Sequence, residues 1–178
     1  MKRKLLMCIV CTFLCLTGIA QNKFNLSGIT ALTNFGIDYT LAKVYGGKET
    51  GYQYWITYED INELFISKAK TFDIGKRLEI PINPDEIKTE DPDYMPTEGQ
   101  IADAVKKLPI RSLDEKFGIV IFCLSMNKKT DVGIYHFVIF NTKTRDIIEQ
   151  WTNSGKGLGF TLKQYWGHSV YQALRKIK

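Results

Sequence analysis

Cysteine is nearly missing from this chain once its first stretch is set aside. Of the four cysteines, Cys8, Cys11 and Cys15 crowd into the first fifteen residues, and Cys123 stands alone in the remainder. A single thiol closes no intramolecular disulfide and builds no cysteine-rich zinc site, so a disulfide-stapled scaffold and a zinc finger are both excluded. Histidine is scarcer still: His136 and His168 are the only two. An excess of one charge is also lacking. The chain carries 24 Lys+Arg against 19 Asp+Glu, but Lys2, Arg3 and Lys4 open it, and without those three the balance is 21 to 19. The other basic residues, such as Lys106–Lys107 and the Arg175, Lys176, Lys178 tail, are scattered. Neutralising several phosphates at once needs clustered Lys and Arg, so nucleic acid is not an expected partner.

A long apolar run is missing everywhere except near the start, where Leu5–Leu16 reads "LLMCIVCTFLCL". That run is short for a membrane span, which needs about 20 residues. A basic start, a short apolar stretch and small residues at Gly18 and Ala20 form the three-part layout of a secretory leader. Residues 1–20 are therefore expected to be a signal peptide, with Gln21 as the first mature residue. Cys15 follows Phe13 and Leu14, and bulky residues there do not suit a lipid-modified cysteine. The expected location is outside the cytoplasm, periplasmic or extracellular. Residues 21–178 are long enough for one domain held together by a hydrophobic core.

Along that domain the periodicity changes several times. "GIDYTLAKVYGG", Gly36–Gly47, alternates apolar and polar residues and predicts a half-buried strand. "YQYWITY", Tyr52–Tyr58, predicts a second strand that pairs back as a hairpin. Thr57 with Asp60 then predicts a helix start, with Ile61, Leu64, Phe65 and Lys68 at helical spacing and Gly75 near its end. Arg77–Ile82 is a short extended candidate. From 81 to 98 the chain is acidic and holds Pro81, Pro84, Pro92 and Pro96, which predicts a surface loop. Thr97 and Gln100 make a capping box for a helix ending near Lys107. "FGIVIFCLS", Phe117–Ser125, and "GIYHFVIFN", Gly133–Asn141, are apolar on both alternating faces. Such strands belong in the middle of a sheet covered on both sides, by helices or by a second subunit, which leaves a homodimer open. "RDIIEQWT" mixes charged and apolar residues as an edge strand does. The last helix gathers Leu162, Trp166, Val170, Ala173, Leu174 and Ile177 in one sector and leaves His168 opposite. The fold class is α+β: a single domain with a mostly antiparallel sheet of about five strands, about three helices, and the C-terminal helix packed on the sheet.

Chemistry is harder to find. Gly155, Gly157 and Gly159 precede that last helix, and Lys156 adds a positive charge, so backbone N–H groups there could meet a phosphate or nucleotide. The spacing is neither that of a phosphate loop nor that of the dinucleotide fingerprint, and the alternative is a bend in which glycine permits positive torsions. His136 lies between Ile134 and Val138 on a central strand, where a neutral, hydrogen-bonded core residue is the usual role. As a general base it would need a cleft and a partner acid, such as a glutamate. Cys123 in "IVIFCLS" lacks the electropositive setting of a reactive thiolate. Asp91 and Asp93 alternate like the first ligands of a calcium loop, but Met95 and Pro96 break the pattern. No metal or cofactor is expected. Tyr52, Tyr54 and Trp55 beside a glycine turn either stack on a ligand or pack inward.

Two resemblances follow. "INELFIS", "GFTLKQYWGHSVYQAL" and a leader ending "GIAQ" resemble a group of small exported bacterial proteins without assigned function, which implies an envelope or extracellular location and carries no catalytic residues across. "NTKTRDIIEQW", within Phe117–Ile177, resembles the hairpin of envelope lipoproteins related to the curli secretion channel and the penicillin-binding-protein activators. There the turn reads D-x-K-T-G; here Asn141, Lys143 and Thr144 match and Arg145 replaces the glycine. The expected function is thus a non-catalytic binding module of the envelope whose partner is a protein, peptide or glycan. The alternatives are an exported hydrolase built around His136 and an anion or nucleotide binder at Gly155–Gly159.

Overall fold

Hairpin chemistry organises the centre of the molecule. The computed structural model describes residues 29, 32–68, 82–110 and 116–176, with the backbone alone for 63–68. The proposed leader, the Arg77–Pro81 stretch, Gly75, the side chains of Leu64, Phe65 and Lys68, and Ile177 lie outside the described residues. The long strands β4 (Phe117–Asn127), β5 (Val132–Asn141) and β6 (Ile147–Lys156) pair antiparallel in sequence order. Both turns use the same device. Asn127 Oδ1 accepts from the amides of Lys129 and Thr130, and Asn141 Oδ1 accepts from those of Lys143 and Thr144. Four residues after each asparagine the backbone turns left-handed, at Asp131 (φ 61°) and Arg145 (φ 67°). Arg145 thus occupies a conformation that favours glycine. Its guanidinium donates to the carbonyls of Thr142 and Ile110, which offsets some of that cost.

The first strand segment divides in two. β1 (Thr33–Asp38) and β2 (Lys43–Tyr45) both run parallel to β4, one along Gly118–Phe122 and the other along Ser125–Asn127. A turn in which Ala42 N donates to Tyr39 O separates them. Within β1 a bulge at Gly36 (φ 78°) shifts the register and sends Phe35 and Ile37 to opposite faces. The result is a mixed six-stranded sheet in the order β3-β2-β4-β5-β6, with β1 also on β4. Its long ladders are antiparallel and its short ones parallel. β3 (Lys88–Thr89) pairs parallel with β2. It comes from the acidic proline-rich segment, which is mostly exposed but inserts Ile87 into the core.

The aromatic run is helical, which corrects the expected hairpin. α1 spans Gly51–Lys68, and its start is set by Thr50 rather than Thr57. Thr50 N donates to Gln53 Oε1, while Gln53 N donates to Thr50 Oγ1, a reciprocal capping arrangement. Thr57 instead lies inside the helix and donates to Gln53 O. Tyr54, Tyr58 and Ile61 then share one buried face. α2 (Glu98–Lys107) carries the expected capping box of Thr97 and Gln100. α3 (Leu162–Leu174) is capped by Thr161.

The two faces of the sheet are covered by different helices. α1 and α3 lie over Ile37, Tyr39, Val44, Ile121, Cys123, Tyr135 and Phe137, with Trp166 of α3 fully buried among the tyrosines. α2 places Ile101 and Val105 over Phe35, Val120, Phe122, Val138 and Phe140. The chain's own helices therefore cover the two-faced apolar strands, and these strands imply no second subunit.

Candidate functional site

α3 meets β6 at the glycine bend. Gly155 is the closest point of approach, because a Cβ there would lie 1.8 Å from the carbonyl oxygen of Ser169. Ser169, fully buried, donates to Gly155 O at 2.7 Å. Gly157 leaves room for the Tyr165 ring, and only Gly159 holds a positive torsion, φ 147°. The bend reading is thus corrected in its cause: two of the three glycines serve close packing, and Gly155 itself lies within β6.

The phosphate-cradle reading fails on the backbone donors. Gly157 N donates to Asp131 O at 2.6 Å and Leu158 N to Tyr165 O at 3.4 Å, while Phe160 N donates to Gln164 Oε1 at 3.3 Å. These amides are already used within the protein, so little of the loop's backbone is free to hold an anion. What remains is a side-chain surface. A cleft of 520 Å³ opens beside the bend, lined by Ser154, Lys156, Leu158, His168, Gln172 and Lys176 among others. His168 belongs to this surface rather than to the outer face of α3. Its Nδ1 lies 3.0 Å from Lys156 O, and its Nε2 3.2 Å from Gln172 Nε2. Lys176 Nζ donates to Ser154 O at 2.7 Å and to Ser154 Oγ at 3.3 Å. Together His168 and Lys176 cover two carbonyls on the outer edge of β6, which protects that part of the edge from pairing with another strand.

The remaining candidates separate. Tyr54 is fully buried and donates to Glu49 Oε2 at 2.8 Å. Burial pushes its phenol well above the usual range, and Glu49 adds to the rise. Trp55 is half-buried against the core, and only Tyr52, 58% exposed, faces solvent, with its ring 5.4 Å from that of Trp55. Tyr52, Tyr54 and Trp55 therefore form no common ligand platform. His136 and Cys123 lie on opposite faces of the sheet, since Cys123 joins the α1–α3 core while Ile134 and Val138, the alternate neighbours of His136, join the α2 core. Cys123 is fully buried, and desolvation pushes its thiol far up. Both ring nitrogens of His136 are engaged, Nδ1 with Thr152 Oγ1 at 2.7 Å and Nε2 with Gln150 Oε1 at 3.2 Å. Desolvation lowers its pKa, opposed by Gln150 and by the field of Glu98. Glu98 is the glutamate nearest in effect, but it makes no hydrogen bond to the ring among the described residues. Asp91 Oδ1 accepts from Asp93 N, closing a turn, and no group of three metal-ligating side chains occurs among the described residues. Nor is any helix among them long and apolar enough to cross a membrane.

The chain matches no protein-family model, and no curated protein matches it. Among solved structures it is similar to the C-terminal domain of LpoB from Salmonella enterica, with 11% identity and a TM-score of 0.34 over 74% of this chain and 89% of that one. It is also similar to the hypothetical protein CT253 from Chlamydia trachomatis, with 11% identity and a TM-score of 0.36 over 83% of this chain and 94% of that one. At this level the likeness concerns the general arrangement of strands and helices and transfers no residue role.

Proposed function

We propose that the protein is an exported, non-catalytic interaction module of the cell envelope, and that it recognises an acidic peptide segment of a partner protein at the glycine bend. The observation that carries this reading is the loop between β6 and α3. Its amides are pinned to Asp131, Tyr165 and Gln164, yet it holds Leu158 67% exposed and Phe160 fully exposed. A rigid loop that presents large apolar side chains to water has the character of an anchor awaiting a pocket. Lys156 and Lys176 beside the cleft supply positive charge for an acidic partner. The leader expected at residues 1–20 supports an encounter in the periplasm or outside the cell. Replacing Leu158 and Phe160 together by serine is expected to leave the unfolding midpoint nearly unchanged, since neither side chain is buried, and to abolish capture of the partner from envelope extracts. Undiminished capture by the double variant would refute the reading.

A free anion or nucleotide in the same cleft is the second reading, favoured by its basic rim. Pyrophosphate or ATP would then raise the melting temperature of the protein, and Lys156→Ala would remove the effect.

A further inference from the structure

β6 closes one side of the sheet, and α3 covers its outer edge along only half its length. Near the glycine bend the carbonyls of Ser154 and Lys156 face outward and meet Lys176 Nζ and His168 Nδ1. The direction of the backbone groups alternates along an antiparallel strand, so the N–H and C=O of Thr152 and Gln150 face the same way. Both residues are exposed. Gln150 N donates to Glu149 Oε1 at 3.3 Å, a contact with the adjacent side chain that a neighbouring strand can replace. Ile148 is the extra residue of a bulge against β5 and is 49% exposed. The open stretch therefore runs from that bulge to Thr152, and it carries neither lysine nor proline, the residues that commonly guard an edge.

So short a stretch admits few registers with a second copy of itself. An antiparallel pair about a twofold axis at Gln150 sets Gln150 against Gln150 and Ile148 against Thr152, and it uses only the uncovered backbone groups. Moving the axis to Thr152 would set Gln150 against Ser154, whose carbonyl Lys176 already holds. The first register also brings no like charges together, since Glu149 comes opposite Trp151 and Ile147 opposite Asn153. At each end the exposed Asp146 comes alongside Ser154 of the second copy, where Lys176 Nζ is anchored. Each copy thus offers a carboxylate where the other offers an ammonium.

We propose that two copies of this chain pair through β6, antiparallel about Gln150, and join their six-stranded sheets into one. The contact is edge to edge and leaves the helix-covered faces untouched. It buries little area, so the dimer forms only at high protein concentration. Pairing through β6 does not depend on recognition at the glycine bend, so either can fail without the other.

The test is sedimentation of the protein purified from cells that export it, over a concentration series. Wild type is expected to pass from monomer to dimer. Gln150→Lys, at an exposed position, sets two ammonium groups directly opposite each other and is expected to weaken association by about tenfold or more. Asp146→Lys is expected to weaken it as well, and Asp146→Lys with Lys176→Glu to restore it. The register has its own readout. Cα atoms directly opposite in such a pair lie about 5.5 Å apart, a separation that a disulfide spans. Gln150→Cys is therefore expected to link two copies under oxidised glutathione, while Thr152→Cys, opposite Ile148, does not; Cys123 is buried and takes no part. The proposal is overturned if wild type stays monomeric up to about 1 mM, if Gln150→Lys associates as well as wild type, or if Thr152→Cys links as readily as Gln150→Cys.

Discussion

Gly155 is held by contact rather than by torsion. Its backbone angle is ordinary, but α3 lies so close that a methyl group would collide with the Ser169 carbonyl at 1.8 Å. That neighbour is backbone and cannot rotate away, so α3 would have to shift. Gly155→Ala is therefore expected to cost on the order of 1–3 kcal/mol of stability, measured by urea unfolding. An unchanged midpoint would mean that the helix moves freely over β6. Arg145 is the opposite case, a residue whose torsion is unusual and whose side chain bonds help to hold it there. From the sequence both positions look like loop chemistry. The alternation of glycines does not say whether a missing Cβ serves a turn or a neighbour, because the neighbour is another element.

At the scale of elements, α1 shows how one stretch satisfies two periods. Tyr52, Tyr54, Ile56 and Tyr58 alternate as a strand would, while Tyr54, Tyr58 and Ile61 also recur at helical spacing. The arbiter was present as "TGYQ", Thr50–Gln53, whose ends cap each other. α1 also clamps the sheet. Asn62 Oδ1 accepts from Ile37 N at 2.9 Å, and Asn62 Nδ2 donates to Ile37 O at 2.8 Å, which satisfies both backbone groups of the residue next to the Gly36 bulge. Asn62→Ala leaves that pair without its partner. A loss of about 1–3 kcal/mol is expected, together with faster amide hydrogen exchange at Ile37 than elsewhere in β1. Uniform exchange along the strand would place the bulge's stability elsewhere.

Over the whole molecule, burial of His136 links stability to pH. Its folded pKa is lowered by desolvation from an ordinary value near 6.5, so the unfolded chain takes up a proton before the folded protein does. The sign follows: the contribution is fully present above pH 6.5 and is lost as pH falls through the depressed folded value. Urea midpoints measured from pH 7.5 downward are expected to fall in the wild type and to fall less in His136→Gln. Parallel curves for the two proteins would assign the pH dependence to other groups.

The sequence by itself determined the central hairpins, the two-faced apolar strands β4 and β5, the α2 capping box and the buried stripe of α3. These depend on local torsion and on periodicity, both of which a linear chain displays. It also bore the asparagines that open each turn. Only the tertiary structure decided that Cys123 and His136 face opposite sides of the sheet, that the loop amides at the glycine bend are already engaged, and that Asp38 is buried at the end of β1. Each of these depends on what lies across a gap from the residue, and that distance is set by how helices settle on the sheet rather than by neighbours along the chain.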